Sequence, residues 1–150
     1  MQANTVECVT CGQRNRVPAS AAGRPRCARC QRWMPWIVVA CDDDFMEVAD
    51  NCTLPVLVDF WATRSGPCQI VSPTLVQLAY ERAGQLKLVK VDIDANPGLT
   101  QRFSVQSAPT LLVLDRGRQL ARQSGAPPLA TLRHWVDRAL SGTTPKVATS

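Results

Sequence analysis

Two Cys-x-x-Cys pairs, Cys8-Val9-Thr10-Cys11 and Cys27-Ala28-Arg29-Cys30, stand near the N-terminus with fifteen residues between them. Cysteines at this spacing turn both sulfurs inward in a tight knuckle, and two knuckles supply the four thiolates of a tetrahedral zinc site. Gly12, directly after the first pair, suits the left-handed backbone such a turn often needs. Residues 13–26 contain Pro18 and Pro25 and little apolar mass, so metal binding is expected to supply much of the folding free energy there. Disulfide pairing is the alternative chemistry for these cysteines. A reducing compartment disfavours it, and seven cysteines make an odd count. The other three, Cys41, Cys52 and Cys68, occur singly. Cys41 and Cys52 read as small buried apolar residues.

The formal charge is +5. Residues 1–36 hold six arginines and one acid, Glu7, while the remainder is balanced at eleven basic and eleven acidic side chains. All the excess therefore sits around the four cysteines. A four-thiolate zinc site is itself anionic, so several arginines can neutralise it and donate to its sulfurs. A docking or regulatory surface is the next reading. Nucleic acid is an unlikely partner, because aromatic side chains are not interleaved with the arginines. The longest apolar run, residues 36–41, is far short of the roughly 20 residues of a membrane span. With no signal-peptide pattern either, a soluble cytoplasmic chain without membrane association is expected.

Behind the cysteine pairs, the pattern alternates short apolar strands with helical stretches. Strands are expected over residues 37–40, 54–61 and 86–92, with a hairpin of 110–114 and 118–124 around Arg116-Gly117. Asp42-Asp43-Asp44 is expected to cap and charge a helix running to about Asn51. A second helix covers residues 68–83, with Val71, Leu75, Leu78 and Arg82 on one stripe and Pro73 kinking it. Residues 96–103 form a short helix, and Leu129, Leu132, Val136 and Leu140 mark the last one. The order β-α-β-α-β-α-β-β-α predicts an α/β fold, a mixed central sheet with helices on both faces. Residues 1–34 are expected to form the four-cysteine module, 35–142 the α/β domain and 143–150 a loose tail.

Four separated segments in order, Val58-Asp59-Phe60-Trp61-Ala62, Gly66-Pro67-Cys68, Lys90-Val91-Asp92 and Ser107-Ala108-Pro109-Thr110, resemble the thioredoxin family. The likeness runs from about Trp36 to Ser141. With the preceding module, the whole chain resembles the bacterial type that carries an N-terminal zinc ribbon. The resemblance implies the thioredoxin fold and thiol–disulfide oxidoreductase activity. It also implies disulfide-containing proteins as substrates and a thioredoxin reductase as partner.

The family's active-site segment reads Trp-Cys-Gly-Pro-Cys, whereas this chain reads Arg64-Ser65-Gly66-Pro67-Cys68. Ser65 stands at the attacking position and Cys68 at the resolving one. A serine hydroxyl is far less acidic than a thiol and forms no disulfide, so a dithiol cycle through residues 65 and 68 is excluded. Asp59 matches the family's buried acid, Lys90 the residue near it, and Pro109 the cis-proline facing the active site. Arg64, Gly66, Pro67, Ala108, Gly125 and Ala126 would outline the substrate groove, with Ala108 offering backbone groups to an extended chain. Arg64 replaces an apolar platform with positive charge. Two functional readings stay open at this point. One is an impaired or trapping oxidoreductase; the other is a redox-inactive peptide-binding module with a structural zinc site.

Overall fold

The computed structural model describes residues 3–20 and 24–141; the tail expected at 143–150 lies outside them. Strands β1 (Ala3–Glu7) and β2 (Arg14–Pro18) form an antiparallel pair that the sequence pattern did not reveal. Five further strands make one sheet: β3 (Trp36–Val39), β4 (Val56–Trp61), β5 (Lys87–Asp92), β6 (Thr110–Asp115) and β7 (Arg118–Ser124). Their order is β3-β5-β4-β6-β7. The first three run parallel, and β6 and β7 are antiparallel additions. This is the mixed sheet that the resemblance implies.

Helices α1 (Gly66–Glu81), α2 (Pro97–Arg102) and α3 (Leu129–Ser141) connect and cover it. Side chains alternate across a strand, so β4 sends Val56, Val58 and Phe60 to one face and Leu57 to the other. The first face packs against Phe45, Val48, Leu99 and Phe103, together with Val17 and Ala19 of the N-terminal module. The second packs against Val71, Leu75 and Leu78 of α1 and Leu132 and Val136 of α3.

Three local expectations need correction. The acidic triplet does not start a regular helix. Residues 42–44 form a turn, and only Met46–Asp50 is helical, as one wide turn closed by Asn51 N–H on Met46 C=O. Asp44 accepts from Cys41 N–H, while Asp42 caps a different helix, α2, accepting from Gly98 and Leu99 N–H. Next, α1 begins at Gly66, two residues before Cys68, because Ser65 caps it and Pro67 occupies its first turn, where no N–H is needed. Last, Arg82 lies past the end of α1, half-buried and paired with Asp137 of α3 at 3.1 Å. Pro73 lies inside α1 without ending it.

The module is fastened to the sheet by polar as well as apolar contacts. Trp36 Nε1 donates to Pro18 C=O at 2.8 Å. Lys87, 1% exposed at the start of β5, donates to Ala19 C=O and Val48 C=O at 2.5 and 2.6 Å, with its ammonium 4.0 Å from the Trp36 ring centre. Trp33 packs against Gly84, where an added Cβ would lie 2.6 Å from the indole. Gly84 also has φ +81°. The substitution Gly84→Ala is therefore expected to cost about 2 kcal/mol, from the left-handed backbone and the displaced indole together. Thermal unfolding would show the loss, and a red-shifted tryptophan emission would show the indole leaving Gly84.

Candidate active site and metal centre

The four cysteines of the module converge. Cys8, Cys11, Cys27 and Cys30 place their sulfurs within 4.8 Å of one another. The Cys8–Cys30 and Cys11–Cys27 Sγ distances are each 3.6 Å. No pair is at bonding distance; all four are free thiols. Zinc–sulfur bonds of about 2.3 Å in a tetrahedron put sulfurs about 3.8 Å apart, so the set fits that ion.

The two knuckles share one geometry. Gly12 N–H donates to Cys8 C=O and Gln31 N–H to Cys27 C=O, each four residues along. Both turning residues have positive φ, +79° at Gly12 and +68° at Gln31. Glycine takes that conformation without penalty; Gln31 does so at roughly 1 kcal/mol. The backbone N–H of Cys30 holds the Cys27 thiol down at about 6, and that of Cys11 lowers Cys8. Asn15, buried on β2, ties the halves together. It accepts from Ala28 N–H, donates to Gln13 C=O and contacts Met34 Sδ. The sequence reading missed Asn15. Its only signal there was a polar residue in register with Val17 on the inward face of an unrecognised strand. Arg24 and Arg26 lie against the Trp33 ring, 5.6 and 4.2 Å from its centre.

A second constellation forms where β4 and β5 meet the start of α1. Asp59 and Lys90 are register partners in the parallel pair, and strand alternation turns both toward α1. Lys90 Nζ donates to Ser72 Oγ of α1 at 3.1 Å. Asp59, 1% exposed, has an oxygen, Oδ1, with no hydrogen-bond partner. Burial pushes its carboxyl up to about 6, against the opposing pull of the Lys90 charge. Asp59, Lys90, Ser72 and Cys68 line one cavity of about 240 Å³, together with Trp61, Ala62, Thr63 and Gln69. Cys68 is buried in the first turn of α1.

Beside this cavity lies the predicted groove. Ser65 Oγ accepts from Cys68 N–H at 3.2 Å and donates to Ala108 C=O at 3.1 Å. The Ala108–Pro109 bond is cis. Gly125 N–H donates to Pro109 C=O at 3.0 Å, which brings the end of β7 to the same place. Arg64, Gly66 and Pro67 are exposed at the tip, and Ala126 packs partly buried beneath α3. The fold thus gathers Ser65, Ala108, Pro109 and Gly125 by hydrogen bonds, and Asp59, Lys90 and Cys68 around a cavity. Of the other two cysteines, Cys52 is buried beneath the first face, and Cys41 is half-buried.

Asp59 makes the site pH-sensitive. Its folded pKa lies above the unfolded value, so its burial penalty is fully present above pH 6 and relieved as pH falls toward 4. Asp59→Asn is expected to stabilise the protein by about 2–3 kcal/mol at pH 8, the gain vanishing near pH 4. Denaturant unfolding of both proteins across that range checks the sign.

Among the described residues, no helix is long and apolar enough to cross a membrane. The sequence model of the thioredoxin family matches residues 36–138. Thioredoxin C-3 of Corynebacterium nephridii is 36% identical over 138 residues, covering 90% of this chain and 94% of its own length. At that coverage the alignment takes in part of the four-cysteine module. The thioredoxin of Haemophilus influenzae is 41% identical over 97 residues, 65% of this chain and 91% of its own. The chloroplastic M-type thioredoxin of Chlamydomonas reinhardtii is 37% identical over 100 residues, 67% of this chain and 71% of its own.

Proposed function

The chain belongs to the thioredoxin family, and from that premise we propose that it engages disulfide-containing proteins through one cysteine, Cys68, and holds them. Ser65 takes the place of the family's attacking thiol. One observation carries this reading: the Ser65 hydroxyl is fully engaged as a helix cap and as a donor to Ala108 C=O. It has no leaving or attacking chemistry toward sulfur. Cys68 follows three residues later in the first turn of α1, and Asp59 lines the same cavity, a carboxylate that can take the thiol proton as attack begins. Thiolate attack on a protein disulfide then yields a mixed disulfide that no neighbouring cysteine resolves. Ala108 and Pro109 supply the backbone edge for an extended chain. Asp59, Lys90 and Cys68 are the reactive set; Arg64, Gly66, Pro67, Gly125 and Ala126 border the groove.

The module, residues 1–34, holds structural zinc through Cys8, Cys11, Cys27 and Cys30. When bound, zinc supplies folding free energy and no redox chemistry. A four-thiolate site fits a reducing compartment, and cytoplasm is the proposed location. A thioredoxin reductase has no dithiol pair at residues 65 and 68 to act on, so its substrate here would be an external mixed disulfide.

The test is to incubate the chain with insulin and resolve adducts by non-reducing electrophoresis and peptide mapping. A stable adduct at Cys68, absent from Cys68→Ser, is expected. Peptide binding without any adduct would instead make the domain a redox-inactive binding module.

A further inference from the structure

Two features adjoin Cys68, and they differ. One is the groove, where the Ser65 hydroxyl bridges Cys68 N–H and Ala108 C=O. The other is the cavity of about 240 Å³, whose lining includes neither Ser65, Ala108 nor Pro109. That volume is below the roughly 300–1,000 Å³ of sites for drug-sized ligands. A volume of that size matches a molecule of a few heavy atoms per arm. The cavity also carries unmet polar demand. Asp59 Oδ1 and Trp61 Nε1 are buried atoms without hydrogen-bond partners, one an acceptor and the other a donor, and both residues line it. Orphan buried polar groups cost about 1–3 kcal/mol each. Thr63, at the rim, is exposed.

From this we infer that Cys68 is a site of reversible S-thiolation by low-molecular-weight disulfides that enter through the cavity, by a route separate from the protein groove. The inference rests on the single-cysteine reading above and adds a second substrate class to it. Cys68 gives its proton to the Asp59 carboxylate and its thiolate attacks the nearer sulfur. The sulfur–sulfur bond of the small disulfide breaks and a new one forms to Cys68 Sγ. The departing thiolate takes a proton from solvent. A second molecule of the small thiol reverses the step, regenerating free Cys68 and the small disulfide. Because residue 65 offers no thiol, the adduct persists until that external thiol arrives.

The probe is hydroxyethyl disulfide, with insulin as the protein disulfide for comparison. The zinc-loaded full chain is incubated with each, and adducts at Cys68 are timed by peptide mass mapping. Thr63→Trp places an indole across the cavity mouth; Thr63→Ser leaves it open and controls for folding, as do thermal melts of both variants. In Thr63→Trp the hydroxyethyl adduct is expected to form about tenfold more slowly, with insulin capture within about twofold of the parent, since exchange rates follow access to the thiolate. Thr63→Ser should match the parent with both. An unchanged hydroxyethyl rate in Thr63→Trp, or equal slowing with both disulfides, overturns the separate route while leaving the single-cysteine reading intact. No Cys68 adduct from either disulfide in the parent overturns both.

Discussion

Ser65→Cys is expected to raise the rate at which this chain catalyses insulin reduction by dithiothreitol at least about a hundredfold, from a baseline close to the uncatalysed reaction. The gain follows from where residue 65 sits. It caps a helix of 16 residues and accepts a hydrogen bond from Cys68 N–H. A thiol there meets the positive end of the helix dipole and a donor aimed at its sulfur, both of which stabilise a thiolate near neutral pH. The exposed Arg64 adds positive charge beside it. Cys68, three residues along in the first turn, completes a pair that can close and reopen. Asp59→Asn in the Ser65→Cys background should lower the rate while raising stability, because the carboxylate would serve as proton acceptor at a cost in burial. If Ser65→Cys stays as slow as the parent, Arg64 and the groove have moved the domain away from catalysis, and the binding-module reading stands in its place.

Removal of the zinc proposed for the four-cysteine site is the second large perturbation. The module's buried cluster consists of Cys8, Cys27 and Met34, with Val6, Cys11 and Cys30 partly buried against them. Four of those six side chains are thiols, so without metal there is almost no apolar core to hold β1 and β2 together. Structural zinc in small modules contributes on the order of 10 kcal/mol of apparent folding free energy. Stripping the ion with a thiol-directed mercurial, or substituting Cys27→Ser, should unfold β1, β2 and the two knuckles outright. One zinc per chain should be released. The loss propagates, because Val17 and Ala19 belong to the core on one face of the sheet, and Lys87 would lose Ala19 C=O as an acceptor. The remaining domain is therefore expected to melt several degrees lower, with altered emission from Trp36, whose indole loses Pro18 C=O. An unchanged melt after metal removal would mean the module is held by the domain and not by its ion. Lys87 supplies an internal check. Burial lowers its pKa to about 8, so in the intact protein stability should rise as pH climbs from about 8 toward the ordinary lysine range.

What was legible in the sequence was legible because it is local. Cysteine pairs three residues apart define a knuckle whatever surrounds them, and the left-handed turn at Gly12 follows from the same few bonds. Alternating and continuous apolar runs located β4, β5 and α3 within two residues. The serine at residue 65 is a statement about chemistry that no fold can change. Contacts between distant segments were out of reach. Asp42 belongs to the acidic triplet, yet it caps α2, more than fifty residues away, because the sheet carries both loops to one end. Ser65 starts α1 earlier than its apolar stripe suggested, since a cap is read from the hydrogen bond it makes. Lys87 falls within an expected strand, and the sequence reading gave it no role. Only the module docking across the sheet turned it into a buried clamp with two carbonyl partners. Likewise, Asp59 and Lys90 could be named from sequence, but the cavity they share with Cys68 required parallel pairing of β4 with β5 and the packing of α1 over both. Sequence spacing encodes turns, faces and reactive groups over a few residues. Which groups then meet depends on burial of apolar faces contributed by segments far apart in the chain, and that was decided only by the tertiary structure.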